Sequence, residues 1–366
     1  MSLADIKHQP HAQRFFQQAV GRDRVPHAYI FHGPDGVGKE MFARGLAQLL
    51  LCETPVDRTL SDPEAHAVGV GQLRLGCGAC DDCRAVAAET HPDLHLIYRQ
   101  LNREHPDADV RKRKGLGLGV DVLRHFVIDK VGLKPLRGRA KVFVIREADG
   151  MNVQAQNALL KTLEEPPGTT FLILLATALD ELLPTTQSRC QVVRFDALPT
   201  AFVRAKLDNL RPGLPANQLE WYAKNADGSI GQAVECVDDE LFALNDLLSA
   251  LLADYDSRRT AALTEMVTGG AKSLGERYRK RDAEITDTEA TRRGLKTVFR
   301  LAAGWYADAL RAGAGGVGRR FDTESPAAAI NRIAEAERQL DLNANTQLVV
   351  ETLSNDLCGA SVAART

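Results

Sequence analysis

The chain has 366 residues, 44% of them apolar, and a formal charge of −2. That length is enough for two or three domains with ordinary cores. The charge excludes a global electrostatic drive toward nucleic acid, so any such contact is local, and the lack of an apolar run of about 18 residues argues against a membrane span. The opening residues Met1-Ser2-Leu3-Ala4-Asp5-Ile6-Lys7-His8 lack the apolar core of an export signal, which points to a cytoplasmic chain.

Residues 12–20 have the spacing of an amphipathic helix. Residues 28–32 are a short apolar run that feeds Gly33-Pro34-Asp35-Gly36-Val37-Gly38-Lys39, and a helix is predicted from Lys39 to about Leu51, with Phe42, Leu46, Leu49 and Leu50 at helical spacing. Strand, glycine loop and helix are the context of the phosphate-cradling pattern G-x-x-x-x-G-K-[ST], whose lysine reaches the phosphates and whose hydroxyl helps hold Mg²⁺. Gly33, Gly36, Gly38 and Lys39 supply the nucleotide-binding part, but the last position is Glu40, an anion where the hydroxyl belongs. The bland alternative is a Gly-rich turn with no ligand; Lys39 and the flanking elements weigh against it.

The chain has seven cysteines, and four of them, Cys52, Cys77, Cys80 and Cys83, fall within residues 52–83. An odd count with local clustering favours metal binding over a disulfide framework. C-x₂-C-x₂-C spacing lets three thiolates converge on one tetrahedral ion, and Cys52 closes the set as a structural zinc site without an open position for catalysis. An iron–sulfur cluster or free thiols are the alternatives, although the C-x₃-C-P continuation of a ferredoxin motif is missing. Between Cys52 and Cys77, residues 53–76 have no strong pattern.

Residues 94–98 read as a strand. Residues 99–117 read as a charged loop or insertion, in which Arg111-Lys112-Arg113-Lys114 is a solvated face or, alternatively, a DNA contact of few phosphates. A helix is predicted over 120–131, a buried strand over 141–146, a helix over 152–165 stopped by Pro166-Pro167, and further buried strands over 170–176 and 191–195. Strands alternating with helices imply a parallel sheet covered on both faces, and Asp196-Ala197-Leu198-Pro199 reads as its exit. Residues 200–235 form a small helical unit around Gly228-Ser229-Ile230-Gly231. Then come longer helices: a stripe of Leu241, Leu244, Leu247, Leu248, Leu251, Leu252 and Tyr255, a second with Val298, Leu301, Trp305 and Leu310, and two more over 330–340 and 345–357, with residues 312–318 as a flexible link. The fold class is therefore α/β plus all-α.

The loop 33–39, the cysteine set, Asn157-Ala158-Leu159-Leu160-Lys161-Thr162-Leu163-Glu164-Glu165-Pro166-Pro167 and Ser188-Arg189-Cys190 together resemble the AAA+ clamp-loader subunits of bacterial DNA polymerase III. The resemblance covers residues 12–235 and continues more loosely to a collar segment at 343–353. It implies an AAA+ P-loop domain with a zinc module over 1–197, a small helical lid domain over 198–238 and a helical collar, or oligomerisation, domain over 239–366. Members of this family load the sliding clamp on primed DNA as a heteropentamer of gamma or tau motor subunits, a delta subunit and a delta-prime subunit that does not hydrolyse ATP.

Three positions place this chain on the delta-prime side of the resemblance. Glu40 replaces the P-loop hydroxyl, Arg146 stands where the family's Walker B aspartate organises Mg²⁺, and Gly231 follows Gly228-Ser229-Ile230 where motor subunits carry a sensor arginine. A misplaced charge about 4 Å from another costs roughly 4 kcal/mol at an effective dielectric of about 20. Arg146 can instead pair with Glu40 or with a bound phosphate, giving a metal-free pocket that does not hydrolyse ATP, with ATP or ADP binding weak or absent. Glu40 ligating Mg²⁺ itself is an alternative that does not repair Arg146. The resemblance further implies that Arg189 acts in trans as an arginine finger in a neighbouring subunit's ATP site, with a salt-bridged structural residue as the alternative, and that Thr177 falls at sensor 1. An ATP-hydrolysing gamma/tau motor of the same complex and a stand-alone zinc-dependent nucleic-acid-binding protein are the competing readings.

Overall fold

The computed structural model describes residues 2–22, 24–112, 117–137, 139–253, 260–314 and 324–363, and the chain divides into two units, 1–234 and 235–366. In the first, helix α1 (Pro10–Gly21) precedes strand β1 (Ala28–His32) and helix α2 (Lys39–Leu51). An antiparallel pair, β2 (Val56–Thr59) and β3 (Gln72–Leu75), encloses α3 (Asp62–Val68) and leads to α4 (Asp81–Ala87) and β4 (Leu94–Ile97). Then follow α5 (Ala108–Lys112), α6 (Val120–Leu123), a π-helical stretch Arg124–Ile128, α7 (Asp129–Val131), β5 (Lys141–Ile145), α8 (Val153–Glu164), β6 (Thr170–Ala176), α9 (Pro184–Gln187) and β7 (Gln191–Arg194). Helices α10 (Thr200–Leu210), α11 (Ala216–Asn225) and α12 (Ile230–Asp238) succeed the sheet.

Five strands pair in the order β4-β5-β6-β1-β7, all parallel. Their side chains alternate between faces, and both faces are covered. On one side Ala28 and Ile30 join Phe143, Ile145, Leu172 and Leu174 with Leu159 of α8 and Val127 of the π-helical stretch. On the other, Tyr29 and Phe31 meet Phe16, Phe42 and Phe195 in a set of rings whose successive centroids lie 4.8 to 5.7 Å apart. Each such side chain removed from water contributes roughly 1.5–3 kcal/mol. Strand β1 lies between β6 and β7, where the strand order reverses, so a crevice opens beyond the strand ends. His32 pairs with Ala176, and Ile145 with Leu174, so the segments leaving β1, β5 and β6 emerge along one edge.

The sheet, its helices and the small helices after residue 200 match the expectation. Residues 53–76 do not: they fold as β2, α3 and β3 rather than as a patternless loop. Exposed β2 lacks an apolar face, but Ser61 and Glu64 frame the start of α3, with the Ser61 amide donating to Glu64 Oε2 at 3.3 Å. The stretch 99–117 is partly helical too, a 3₁₀ segment Arg99–Glu104 and α5, because Leu101 and Val110 are buried. Arg113 and Lys114 of the basic run lie outside the described residues.

The second unit comprises α13 (Leu241–Ala253), α14 (Thr260–Arg281), α15 (Asp287–Ala314), α16 (Glu324–Asp341) and α17 (Thr346–Ala363). Helix α13 buries Leu241, Leu248 and Leu252 while Leu247 of the expected stripe is exposed; Tyr255 lies outside the described residues. On α15 the buried face includes Val298, Leu301 and Tyr306, and Trp305 and Leu310 are only half-buried. The helix runs on to Ala314, so the first part of the expected link is helical, and residues 315–318 lie outside the described residues. Among the described residues no helix is long and apolar enough to cross a membrane.

Candidate nucleotide pocket and cysteine centre

The loop after β1 is fixed by close backbone approach. Gly33 hangs from β6 through its amide to the Ala176 carbonyl at 3.3 Å, and a Cβ there would lie 2.1 Å from the Phe195 carbonyl oxygen. Gly36, at φ +69°, packs against the start of α12: the Gly231 amide donates to its carbonyl at 3.4 Å, and a Cβ on it would fall 2.3 Å from Ser229 Oγ. Gly38 caps α2 in the left-handed region, which aims the free amides of that helix at the loop. Lys39 is buried, and its ammonium donates to the carbonyls of Gly33 and Pro34, both at 2.6 Å. Burial lowers its pKa, with Asp35 and Asp149 acting against that shift.

These groups line a cavity of about 970 Å³. Gly36, Gly38, Lys39, Glu40, Arg146 and Thr177 all face it, as do Ile230 and Gly231; Gly33 does not line it but holds Lys39. Glu40 is clamped. Arg44, one turn along α2, donates to its Oε1 at 2.9 and 2.6 Å, and Arg146 Nη2 does so at 2.5 Å. Arg44 is held in turn by Glu89. The pairing of Arg146 with Glu40 is the one their opposite charges imply. The Arg146 guanidinium also lies 5.4 Å from the Tyr98 ring centre, and its buried Nε has no partner among the described residues.

Sequence reasoning missed Asp149, which also lines the cavity. Its Oδ2 accepts from the Thr177 amide at 2.8 Å, the Thr177 hydroxyl at 2.5 Å and the Ala178 amide at 2.9 Å. Burial pushes its carboxyl up, but these hydrogen bonds outweigh that and hold it below the ordinary value. The partners lie 28 and 29 residues away, so only the parallel pairing of β5 with β6 could have revealed them. Arg44 was also missed, although its i,i+4 spacing from Glu40 was a visible signal.

Arg189 does not line this cavity. It sits between α9 and β7, its Nη1 donating to the Thr185 carbonyl at 3.0 Å and its Nε facing Glu164 at 3.4 Å, with about a third of the side chain exposed. Next to it, burial pushes the Cys190 thiol up to about 12.

The four clustered cysteines converge as expected. Their sulfurs all lie within 4.8 Å of one another, with Cys52–Cys80 and Cys77–Cys83 each at 3.9 Å. Those two separations are too long for a disulfide and match the roughly 3.8 Å edge of a tetrahedron with about 2.3 Å metal–sulfur bonds. Backbone amides of Cys77, Cys80 and Cys83 point at the sulfurs of Cys52, Cys77 and Cys80 at 3.2 to 3.4 Å. The amides of Ala79 and Cys80 hold the Cys77 thiol down to about 6, while burial pushes those of Cys52 and Cys83 up. A cation that stabilises four thiolates is what this donor set fits.

This centre is tied to the sheet. Asp82, between two of the cysteines on α4, accepts from Arg137 Nε at 2.7 Å and faces His91 Nε2 at 3.2 Å. His91 Nδ1 accepts from the Asp93 amide at 3.0 Å, and the Asp93 carboxylate takes the amides of Leu136 and Arg137 at 2.8 Å each.

A parallel sheet with a lysine-bearing glycine loop at its switch point defines a P-loop α/β protein, here with Glu40 and Arg146 ion-paired beside the loop. The chain belongs to the family described as DNA polymerase III, delta subunit, whose family model matches residues 8–199. It is 36% identical over 243 residues to DNA polymerase III subunit delta' of Pseudomonas aeruginosa, a match covering 66% of this chain and 59% of that protein. It is 30% identical over 275 residues to DNA polymerase III subunit tau of Salmonella typhimurium, covering 73% of this chain and 38% of that one. The chain thus spans less than two thirds of the length of either relative. Among solved structures, a DNA polymerase III gamma subunit-related protein from Thermotoga maritima aligns over 97% of this chain and 100% of that one, at 15% identity and a TM-score of 0.45.

Proposed function

We propose that this chain is a non-catalytic, delta-prime-like subunit of a DNA polymerase III clamp loader. The observation that carries the proposal is Glu40 held between Arg44 and Arg146 at the position where a metal-dependent ATPase needs a hydroxyl and an aspartate. Phosphoryl transfer depends on a metal ion bridging the outer phosphates, and a guanidinium paired to a carboxylate does not replace it. The sequence likeness to delta' and tau subunits supports the complex; the altered metal position supports delta-prime over the gamma/tau motor.

In this reading residues 1–197 are the AAA+ domain, 198–238 the lid and 239–366 the collar that joins gamma/tau and delta subunits in a heteropentamer, which acts on the sliding clamp and primed DNA in the cytoplasm. Arg189 lies outside the lining of its own pocket and serves the neighbouring subunit's ATP. The four cysteines hold one structural Zn²⁺, and Gly33, Gly36, Gly38 and Lys39 keep a nucleotide site without turnover. The test is steady-state ATP hydrolysis by the purified chain. Background rates are expected; turnover abolished by Lys39→Ala would assign the chain to the motor subunits instead.

A further inference from the structure

We infer that the cavity takes a nucleoside diphosphate as the metal-free anion, with Arg146 supplying the positive charge that Mg²⁺ supplies in a working P-loop. The inference rests on the nucleotide site proposed above and specifies its ligand.

The cavity, at about 970 Å³, is in the size range of cofactor sites. Its lining includes the apolar Ile6, Leu198, Phe202 and Leu210, which suit a base, and Gly36, Gly38, Lys39 and Arg146, which suit phosphate. What it lacks is a ligand set for Mg²⁺, which demands near-octahedral oxygen coordination. The carboxylates lining the cavity are already committed, Asp5 among them, which accepts from the Ser2 amide at 2.8 Å. Glu40 is on Arg44 and Arg146, Asp149 is on Thr177 and Ala178, Asp35 accepts from the Gly36 amide at 2.9 Å, and Glu147 pairs with Arg99 at 3.3 Å. An ion placed here would have to break these pairs and sit against a guanidinium.

Arg146 is suited to an anion instead. Its Nη2 is on Glu40, its guanidinium lies over the Tyr98 ring, and its buried Nε lacks an acceptor among the described residues. A buried donor left unpaired is costly, and a phosphate oxygen is the acceptor a guanidinium binds best. Phosphate length follows from Glu40. The residue after the P-loop lysine normally holds the Mg²⁺ that bridges the second and third phosphates, so here a third phosphate meets a carboxylate with no metal to offset it, whereas a diphosphate stops short.

The test is calorimetric titration of the full chain, zinc-loaded and free of bound nucleotide, with ADP and with ATP, in excess EDTA and in millimolar Mg²⁺. ADP is expected to bind in EDTA, more weakly once Mg²⁺ sequesters it, and several-fold more tightly than ATP. Arg146→Ala should weaken metal-free ADP on the order of tenfold, the worth of a charge-assisted hydrogen bond. Glu40→Gln, which removes the competing anion and leaves the fold's core untouched, should tighten it. Binding that requires Mg²⁺, or that favours ATP, would overturn this inference and leave the nucleotide site standing. No binding of either nucleotide in either buffer would remove the site itself.

Discussion

Replacing Asp149 with alanine tests the hydrogen-bonded corner between β5 and β6. The carboxylate serves three donors at 2.5 to 2.9 Å, two of them backbone amides at the end of β6. Hydrogen bonds to a charged group contribute about 1.5–3 kcal/mol when buried. Thr177 is exposed and Asp149 only half-buried, so water replaces part of what is lost. A net loss of about 2 kcal/mol follows, which for a unit of this size lowers the melting temperature by roughly 4–8 °C. Because the folded pKa of Asp149 is depressed, this stability is fully present above the unfolded value of about 3.9 and fades as pH falls below it. Thermal melts of wild type and Asp149→Ala should therefore stay separated from pH 8 to about pH 5 and converge below about pH 4. A shift under about 1 °C at neutral pH would mean that solvent satisfies Thr177 and Ala178 equally well and that the corner is not held by the carboxylate.

Protein purified without added metal should contain about one equivalent of zinc, with X-ray absorption showing four Zn–S bonds near 2.3 Å; iron, or four freely titratable thiols, would refute the site. Cys80→Ser should cost most of that zinc while leaving α4 capped, because a serine hydroxyl can accept the Cys83 amide in place of the thiol. Arg189→Ala should leave the chain folded, zinc-loaded and able to join a reconstituted complex, yet reduce clamp- and DNA-stimulated hydrolysis there, with a loss of roughly 10³-fold or more confined to one motor site. Unchanged hydrolysis and clamp loading in a confirmed assembly would leave Arg189 as the structural partner of Glu164 and Thr185.

What the sequence made legible follows from burial. Strands β1, β5 and β6 are covered on both faces, so their residues are almost uniformly apolar and easily found. The phosphate loop and the cysteine set were legible because their chemistry depends on fixed local spacing. Strand β2 escaped because its four residues are all exposed. Helix α14 went unassigned even though Leu263, Val267, Ala271, Leu274 and Tyr278 mark its buried face, since glycines and charges dilute that stripe. Asp149 could not be found because its function depends on strand register rather than on its neighbours in the chain. Glu40 and Arg146, 106 residues apart, were legible as a pair only because each broke a known pattern in a complementary way.

The contact between Gly36 and Gly231 makes two distant codons depend on each other. A side chain at position 36 would strike Ser229 and the Gly231 backbone, and one at 231 would come within 3.0 Å of Gly36 Cα. A side chain at 231 therefore fits only if the loop at Gly36 gives way by a few tenths of an ångström. Placing an arginine at 231 would thus require the loop or the helix to shift, a steric demand added to the ion pair of Glu40 with Arg146.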